Sequence, residues 1–312
     1  MSKETPVYGG QALLEGVMFA GKDHMVSAVR RNDDSIEYFH VKKEKKPLFQ
    51  KLKKIPFLRG IIALIESAGF GSRHLEFASA RYDVNPGEEE VEDSKESSKL
   101  GMILSVAAIG ILSFLFSKLI FTLTPMFIAE FLKPWFPDKT VQILLETTFK
   151  LILLFGYLYI VSLTPLIRRV FQFHGAEHKV INCYEANLPL TVENVQKQSR
   201  LHYRCGSSFM LFTVFVGMAT YFFVPTDPFA VRLISRIVLI PFVIGISFEV
   251  LQLTNKLRNV PVLRFLGYPG LWLQLLTTKP PQDDQVEVAI ASFNKLHEVE
   301  KNPDLALTMH HD

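Results

Sequence analysis

Four apolar runs, at residues 101–123, 147–167, 207–224 and 231–250, constrain this chain more than any other feature. A helix needs about 20 apolar residues to cross the hydrocarbon core of a bilayer. Three of the runs reach that length and the third falls slightly short. Apolar residues make up 48% of the sequence, and phenylalanine alone occurs 26 times. A soluble all-helical core is the competing fold, and runs of this length argue against it. The expected fold is therefore a mainly α membrane protein with about four transmembrane helices. A small cytosolic α+β N-terminal region and interfacial amphipathic helices complete it. The expected units are residues 1–99, a membrane domain at 100–255 with a cytosolic loop at 168–206, and a C-terminal part at 256–312.

The distribution of charge orients the runs. The net charge of only +3 gives no reason to expect a nucleic-acid partner. Lys42, Lys43, Lys45, Lys46, Lys51, Lys53, Lys54 and Arg59 precede the first run. Arg168, Arg169, Lys179, Lys197, Arg200 and Arg204 fill the loop between the second and third, and Lys256, Arg258 and Arg264 follow the fourth. The connections at 124–146 and 225–230 are poor in Lys and Arg. The positive-inside rule then places both termini and the central loop in the cytosol of a multi-pass protein. Lys118, Lys150, Arg232 and Arg236 lie near the outer ends of runs, where each can snorkel to headgroups. Glu146 and Lys150 are spaced to pair on one helix face. Residues 1–10 have no apolar core of a leader type, so internal runs are expected to drive insertion.

Outside the runs, residues 25–41 predict a β-hairpin, rich in Val, Ile, Tyr and Phe and turned at Asn32-Asp33-Asp34. The basic stretch 42–54 suits contact with anionic lipid. Residues 55–77 predict an amphipathic helix lying in the interface or against the membrane bundle. Residues 85–98 read as an acidic linker. Residues 260–276 are broken by Pro261, Pro269 and Gly270 and are expected along the inner interface, anchored by Trp272. A soluble amphipathic helix is predicted at 283–301.

The chemistry concentrates in the central loop. Phe173-His174-Gly175-Ala176-Glu177-His178-Lys179 places His174 and His178 one helical turn apart, on one face. Both imidazoles can then reach one cation. Glu177 stands close enough to act as base for the water that a metal activates, the His-x-x-Glu-His arrangement of inverzincins. His202-Tyr203-Arg204-Cys205 closes the loop and adds His202 and Cys205 as further ligands. Such a set fits zinc or another divalent metal. Glu249 ends the fourth run at the cytosolic side and is a candidate distal ligand; its alternative is an ion pair with Arg204, Lys256 or Arg258. A site closed by His174, His178, His202 and Cys205 would be structural, with no position left for substrate. Cys205 acting as a nucleophile with His202 is a further alternative. Cys183 is expected to fill a core position. The stretch Gly9-Gly10-Gln11-Ala12-Leu13-Leu14-Glu15-Gly16-Val17-Met18 is read as an edge or turn under the hairpin. Its alternative is a segment folded against the loop that brings Gln11 and Glu15 near the site.

These motifs, together with Arg204-Cys205-Gly206-Ser207-Ser208-Phe209, Glu249 and Pro269-Gly270-Leu271-Trp272-Leu273-Gln274, resemble the YqhQ-like family of bacterial multi-pass membrane proteins. The resemblance covers most of the chain. That family usually has Thr where this chain has Ser207. The resemblance implies a metal-dependent enzyme without naming a substrate. The functional expectation is a membrane-embedded metal-dependent hydrolase acting at the cytosolic face on a lipid, a lipid-linked molecule or a membrane peptide. The competing expectation is a non-enzymatic membrane factor that binds other membrane proteins during insertion, assembly or quality control. Membrane lipids are expected partners in either case. A transporter is disfavoured, because the runs offer few polar residues at mid-bilayer.

Overall fold

The structure is a computed structural model, and it describes residues 8–43, 47–87, 117 and 119–309. Four strands open it: β1 (Gly9–Leu13), β2 (Gly16–Ala20), β3 (His24–Arg30) and β4 (Ile36–Lys42). They form an antiparallel meander in the order β1-β2-β3-β4. The predicted hairpin is β3–β4, and Asp33 holds its turn by accepting from the Ser35 N–H at 3.0 Å and hydroxyl at 2.6 Å. A second hairpin, β1–β2, precedes it, turning at Leu14-Glu15 with Glu15 at φ 51°. The glycine-rich N-terminal motif is thus an edge strand and its partner.

The helices follow as α1 (Pro47–Leu52), α2 (Leu58–Ser79), α3 (Thr124–Phe131), α4 (Lys139–Ser162), α5 (Pro165–Glu185) and α6 (Val192–Gln196). Next come α7 (Gly206–Tyr221), α8 (Phe229–Val238), α9 (Ile240–Lys256), α10 (Tyr268–Thr277) and α11 (Asp283–Lys301). Strand residues alternate between two cores, as the period of two requires. Val17, Phe19, Val26 and Ala28 pack with Phe173, Ala176 and Val180 of α5 and with Val286, Ala289, Phe293 and Leu296 of α11. Met18, Met25, Val29, Phe39 and Val41 face Phe77 and Ala78 of α2. Both faces of the sheet are covered, which is why β2 and β3 are buried almost throughout. Phe293 joins the layers, with ring centroids 4.9 Å from Tyr8, 5.1 Å from Phe19 and 5.0 Å from Tyr184. The predicted C-terminal helix therefore shares a core with the N-terminal sheet. Its sequence shows an apolar stripe but not the surface that the stripe covers.

The apolar runs resolve into helices with different bounds. Asp138 caps α4 by accepting from the Val141 N–H at 3.0 Å, and α4 ends before Pro165 opens α5. Proline suits the first turn of a helix and disfavours continuation of the one before it, so the run at 147–167 is cut and shifted. The run at 231–250 is divided between α8 and α9, which bend by 50° at a break just before Pro241. Among the described residues only α4 is long and apolar enough by itself to cross a membrane, or two spans if the α8–α9 pair counts as one. Helix α7 has 16 residues. The run at 101–123 lies outside the described residues except for 117 and 119–123, as do Lys118 and most of the acidic linker.

The outer basic residues differ most from expectation. Arg232 and Arg236 do not snorkel; each is 1% exposed and both bond Glu146, which is fully buried. Arg232 also reaches Glu130 at 3.0 Å and Gln142 at 3.2 Å, while the Arg236 guanidinium lies 3.6 Å above the Tyr221 ring. This cluster ties α3, α4, α7 and α8 together. The charges pair inward because Glu146 and the two arginines converge from separate helices, a meeting that local spacing cannot reveal.

Two outcomes follow from this packing. Glu146→Ala leaves Arg236 buried without its carboxylate and Arg232 with Glu130 alone, and should destabilise the protein by about 3–5 kcal/mol, read from denaturant midpoints of the solubilised chain. His74, fully buried on α2 with Nδ1 3.0 Å from the Ser27 hydroxyl, has its pKa pushed down by burial to about 3. Between about pH 6.5 and 3 the unfolded chain binds a proton that the folded chain refuses. Stability should thus fall with pH through that window and be insensitive to this group above it. Midpoints measured across pH should lose that slope in His74→Leu.

Candidate metal centre

Helix α5 begins at Pro165 and is buried along most of its second half. Gly175 is where it meets the chain after α10: a side chain there would collide with the Lys279 carbonyl. The close approach lets the Lys279 N–H bond the Phe171 carbonyl at 2.8 Å. It also brings the Thr277 carbonyl within 2.9 Å of His174 Nδ1. One turn on, His178 Nδ1 donates to the Arg200 carbonyl at 2.6 Å. Main-chain acceptors on both Nδ1 atoms fix the rings and leave both Nε2 atoms as ligands, the outer-shell arrangement usual for metal-binding histidines.

The loop after α5 folds back along it. Lys179 Nζ donates to the carbonyls of Gln196 and Gln198 at 2.5 and 2.8 Å. Asn182 donates to those of Ser199 and Leu201 at 2.7 and 3.2 Å. Gln274 of α10 grips the His202 main chain on both sides, accepting from its N–H at 2.8 Å and donating to its carbonyl at 2.7 Å. These bonds deliver Cys205, the N-cap of α7, to the two histidines. His174 Nε2 lies 3.2 Å from Cys205 Sγ, which also accepts from the Ser207 N–H at 3.4 Å. The ligand atoms of His174, His178 and Cys205 all fall within 4.8 Å of one another. Bond lengths of roughly 2.0–2.3 Å to a zinc-sized ion bring such atoms somewhat closer, within the reach of side-chain adjustment.

The electrostatics suit a cation. Burial opposes charge on Cys205, but His178 and His174 outweigh it and hold the thiol well below its ordinary value. Burial likewise opposes the His174 imidazolium, and the Cys205 sulfur overcomes it, raising the pKa to about 9. Each group thus favours the charged form of the other, and a divalent ion can take the place of the proton between such a pair. Burial pushes Glu177 up against the pull of His174 and His178.

The remaining candidates fall around the trio. Glu177 is buried and lines a cleft of about 590 Å³ together with His174, His178 and Cys205. His202 lines it too, but its ring centroid is 5.8 Å from that of His178 and its Nε2 stands 3.7 Å from Glu185. Arg204 pairs with Glu185, which Arg258 also approaches at 3.3 Å. Glu249 binds the Arg59 guanidinium through both oxygens and accepts from the Phe57 N–H at 3.2 Å, joining α9 to α2 outside the trio. Glu15 is taken by Arg169. Gln11 lines the cleft, and Gly10 lies against Glu177 so closely that a Cβ would come within 2.8 Å of its carboxylate. The carbonyls of Thr277 and Arg200 carry no sequence signal of a site, and Asn182 lies outside the motifs; Lys179 and Gln274 stand in them, but their spacing does not show that they hold the returning loop.

Comparison with known proteins adds a lineage. The profile of the family described as "Protein of unknown function (DUF1385)" matches residues 55–299, which contain the whole trio. The chain is 63% identical over 300 residues to the "Uncharacterized protein YqhQ" of Bacillus subtilis (strain 168), covering 96% of this chain and 94% of that one. No solved structure matches. With a family match across most of its length and so similar a relative, the chain belongs to the DUF1385 family of proteins of unknown function.

Proposed function

We propose that the protein is a metal-dependent hydrolase seated in the membrane, with its site at the cytosolic face. One observation carries this reading. Three ligands converge, both imidazoles are oriented through their Nδ1 atoms by main-chain carbonyls, and the fourth side opens on a cleft that holds Glu177. Three protein ligands with an open position are the mark of catalytic rather than structural zinc sites. When bound, a divalent ion supplies a Lewis acid and lowers the pKa of water. Glu177 is the proton carrier: it takes a proton from the attacking water and returns it to the leaving group. Burial raises its pKa, which suits the acid half of that cycle. His202 stays beside the trio, so the set is not closed by four ligands.

The membrane setting rests on the apolar helices α4, α7 and the α8–α9 pair, and the cytosolic orientation on the positive charge of the central loop. Leu64, Phe171, Phe209 and Phe248 give the cleft apolar walls, which suit a substrate drawn from the bilayer or its surface.

Elemental analysis of the purified protein should find about one divalent metal per chain, lost in His178→Ala and in Cys205→Ala. Glu177→Gln should keep the metal yet lower hydrolysis of amide, ester or phosphoester probes by about 10²–10⁴-fold. Metal-free wild-type protein, or a fully active Glu177→Gln, contradicts the reading.

A further inference from the structure

Among the described residues strand β1 is an outer strand and pairs only with β2. In antiparallel pairing, alternate residues turn their N–H and C=O away from the partner. Among the described residues no main-chain hydrogen bond from another element reaches residues 9–13. Natural sheets usually blunt such an edge with charge, proline, a bulge or a covering helix. This one carries Gly9-Gly10-Gln11-Ala12, with both glycines exposed. Nor is the edge remote from the chemistry. Residues 9–12 line the same cleft as His174, Glu177, His178 and Cys205, and Gly10 touches the Glu177 side chain. At Gly9 nothing lies within 4 Å of where a Cβ would stand, which leaves room for a second backbone to come close.

The chemistry of this edge selects among substrates. Its open N–H and C=O groups match a molecule with the same alternating groups, which an acyl chain does not have. A lipid lying there would leave those groups without hydrogen-bond partners, a cost that burial makes large. An extended polypeptide satisfies them, and its side chains alternate to either side. Leu64 of α2, Phe209 of α7 and Phe248 and Leu251 of α9 offer those side chains apolar contacts.

We infer that β1 is a docking edge: an extended apolar polypeptide segment adds to it as a fifth strand, and one of its peptide bonds is hydrolysed at the trio. The inference rests on the hydrolase reading and narrows its substrate class to peptides. Water oxygen forms a new bond to the carbonyl carbon and the C–N bond breaks. Glu177 takes one water proton and passes it to the departing nitrogen; the second water proton also goes to that nitrogen, so the products are a carboxylate and an ammonium.

Full-length Glu177→Gln protein in detergent tests this with a short fluorescent apolar peptide, followed by anisotropy. Two further peptides carry N-methyl groups on alternate residues, one set in each register. One register should bind at least about tenfold more weakly than the parent for each bond lost, and the other should bind like the parent. Equal binding of all three peptides, or no binding, overturns the docking edge. So does amide exchange at Gly10 and Ala12 that is already slow without peptide, because the chain then covers its own edge. Wild-type protein should cut the parent peptide, seen by mass spectrometry, and leave a fluorescent phospholipid ester in vesicles intact; the reverse overturns the inference. Metal content is measured on the same samples. Metal without a register effect removes the inference alone, and absence of metal removes the hydrolase reading.

Discussion

The contact of Gly175 with the Lys279 backbone sets the geometry on which the site depends. It allows α5 to lie against the chain leaving α10, so that the Thr277 carbonyl meets His174. The same helix buries Phe173, Ala176 and Val180 in the core beneath the sheet. One face of α5 is thus locked by apolar packing while the adjoining face presents the two imidazoles. A site held by a rigid helix and by carbonyls behind its ligands needs little reorganisation when an ion arrives.

Polar groups buried beside the site do the rest of the positioning. Lys179 and Asn182 satisfy four carbonyls of the returning loop, and Gln274 grips both sides of the His202 main chain. Each bond answers a main-chain group that burial would otherwise leave unpaired. The loop consequently has one path, and that path ends with Cys205 at the start of α7. A thiolate at a helix N-terminus gains from the N–H groups there and from the helix dipole. The far end of the helical part uses the same logic with charge, where Glu146 pairs with Arg232 and Arg236 and Glu130 adds a second carboxylate to Arg232.

Much of this was legible in the sequence, where local rules apply. Period and spacing identify the β3–β4 hairpin, the C-terminal helix and the His174–His178 pair. They fail where the partner is distant in the chain. Glu249 looks like a ligand from its place at the end of an apolar run, but Arg59 on α2 claims it. His202 has the spacing of a ligand, and the grip of Gln274 on its backbone accompanies a ring placed beside the trio. The number of membrane crossings is the coarsest part of the reading, because hydropathy does not register the breaks at Pro165 and Pro241. The carbonyls behind the histidines are invisible in principle, since every residue has one.

X-ray absorption at the zinc edge of protein purified with zinc present tests the central claim most directly. Assembly of His174, His178 and Cys205 around one ion predicts two nitrogen scatterers at about 2.0–2.1 Å and one sulfur at about 2.3 Å, with a light atom in the open position. A spectrum with no sulfur in the first shell, or one unchanged by Cys205→Ala, would contradict it.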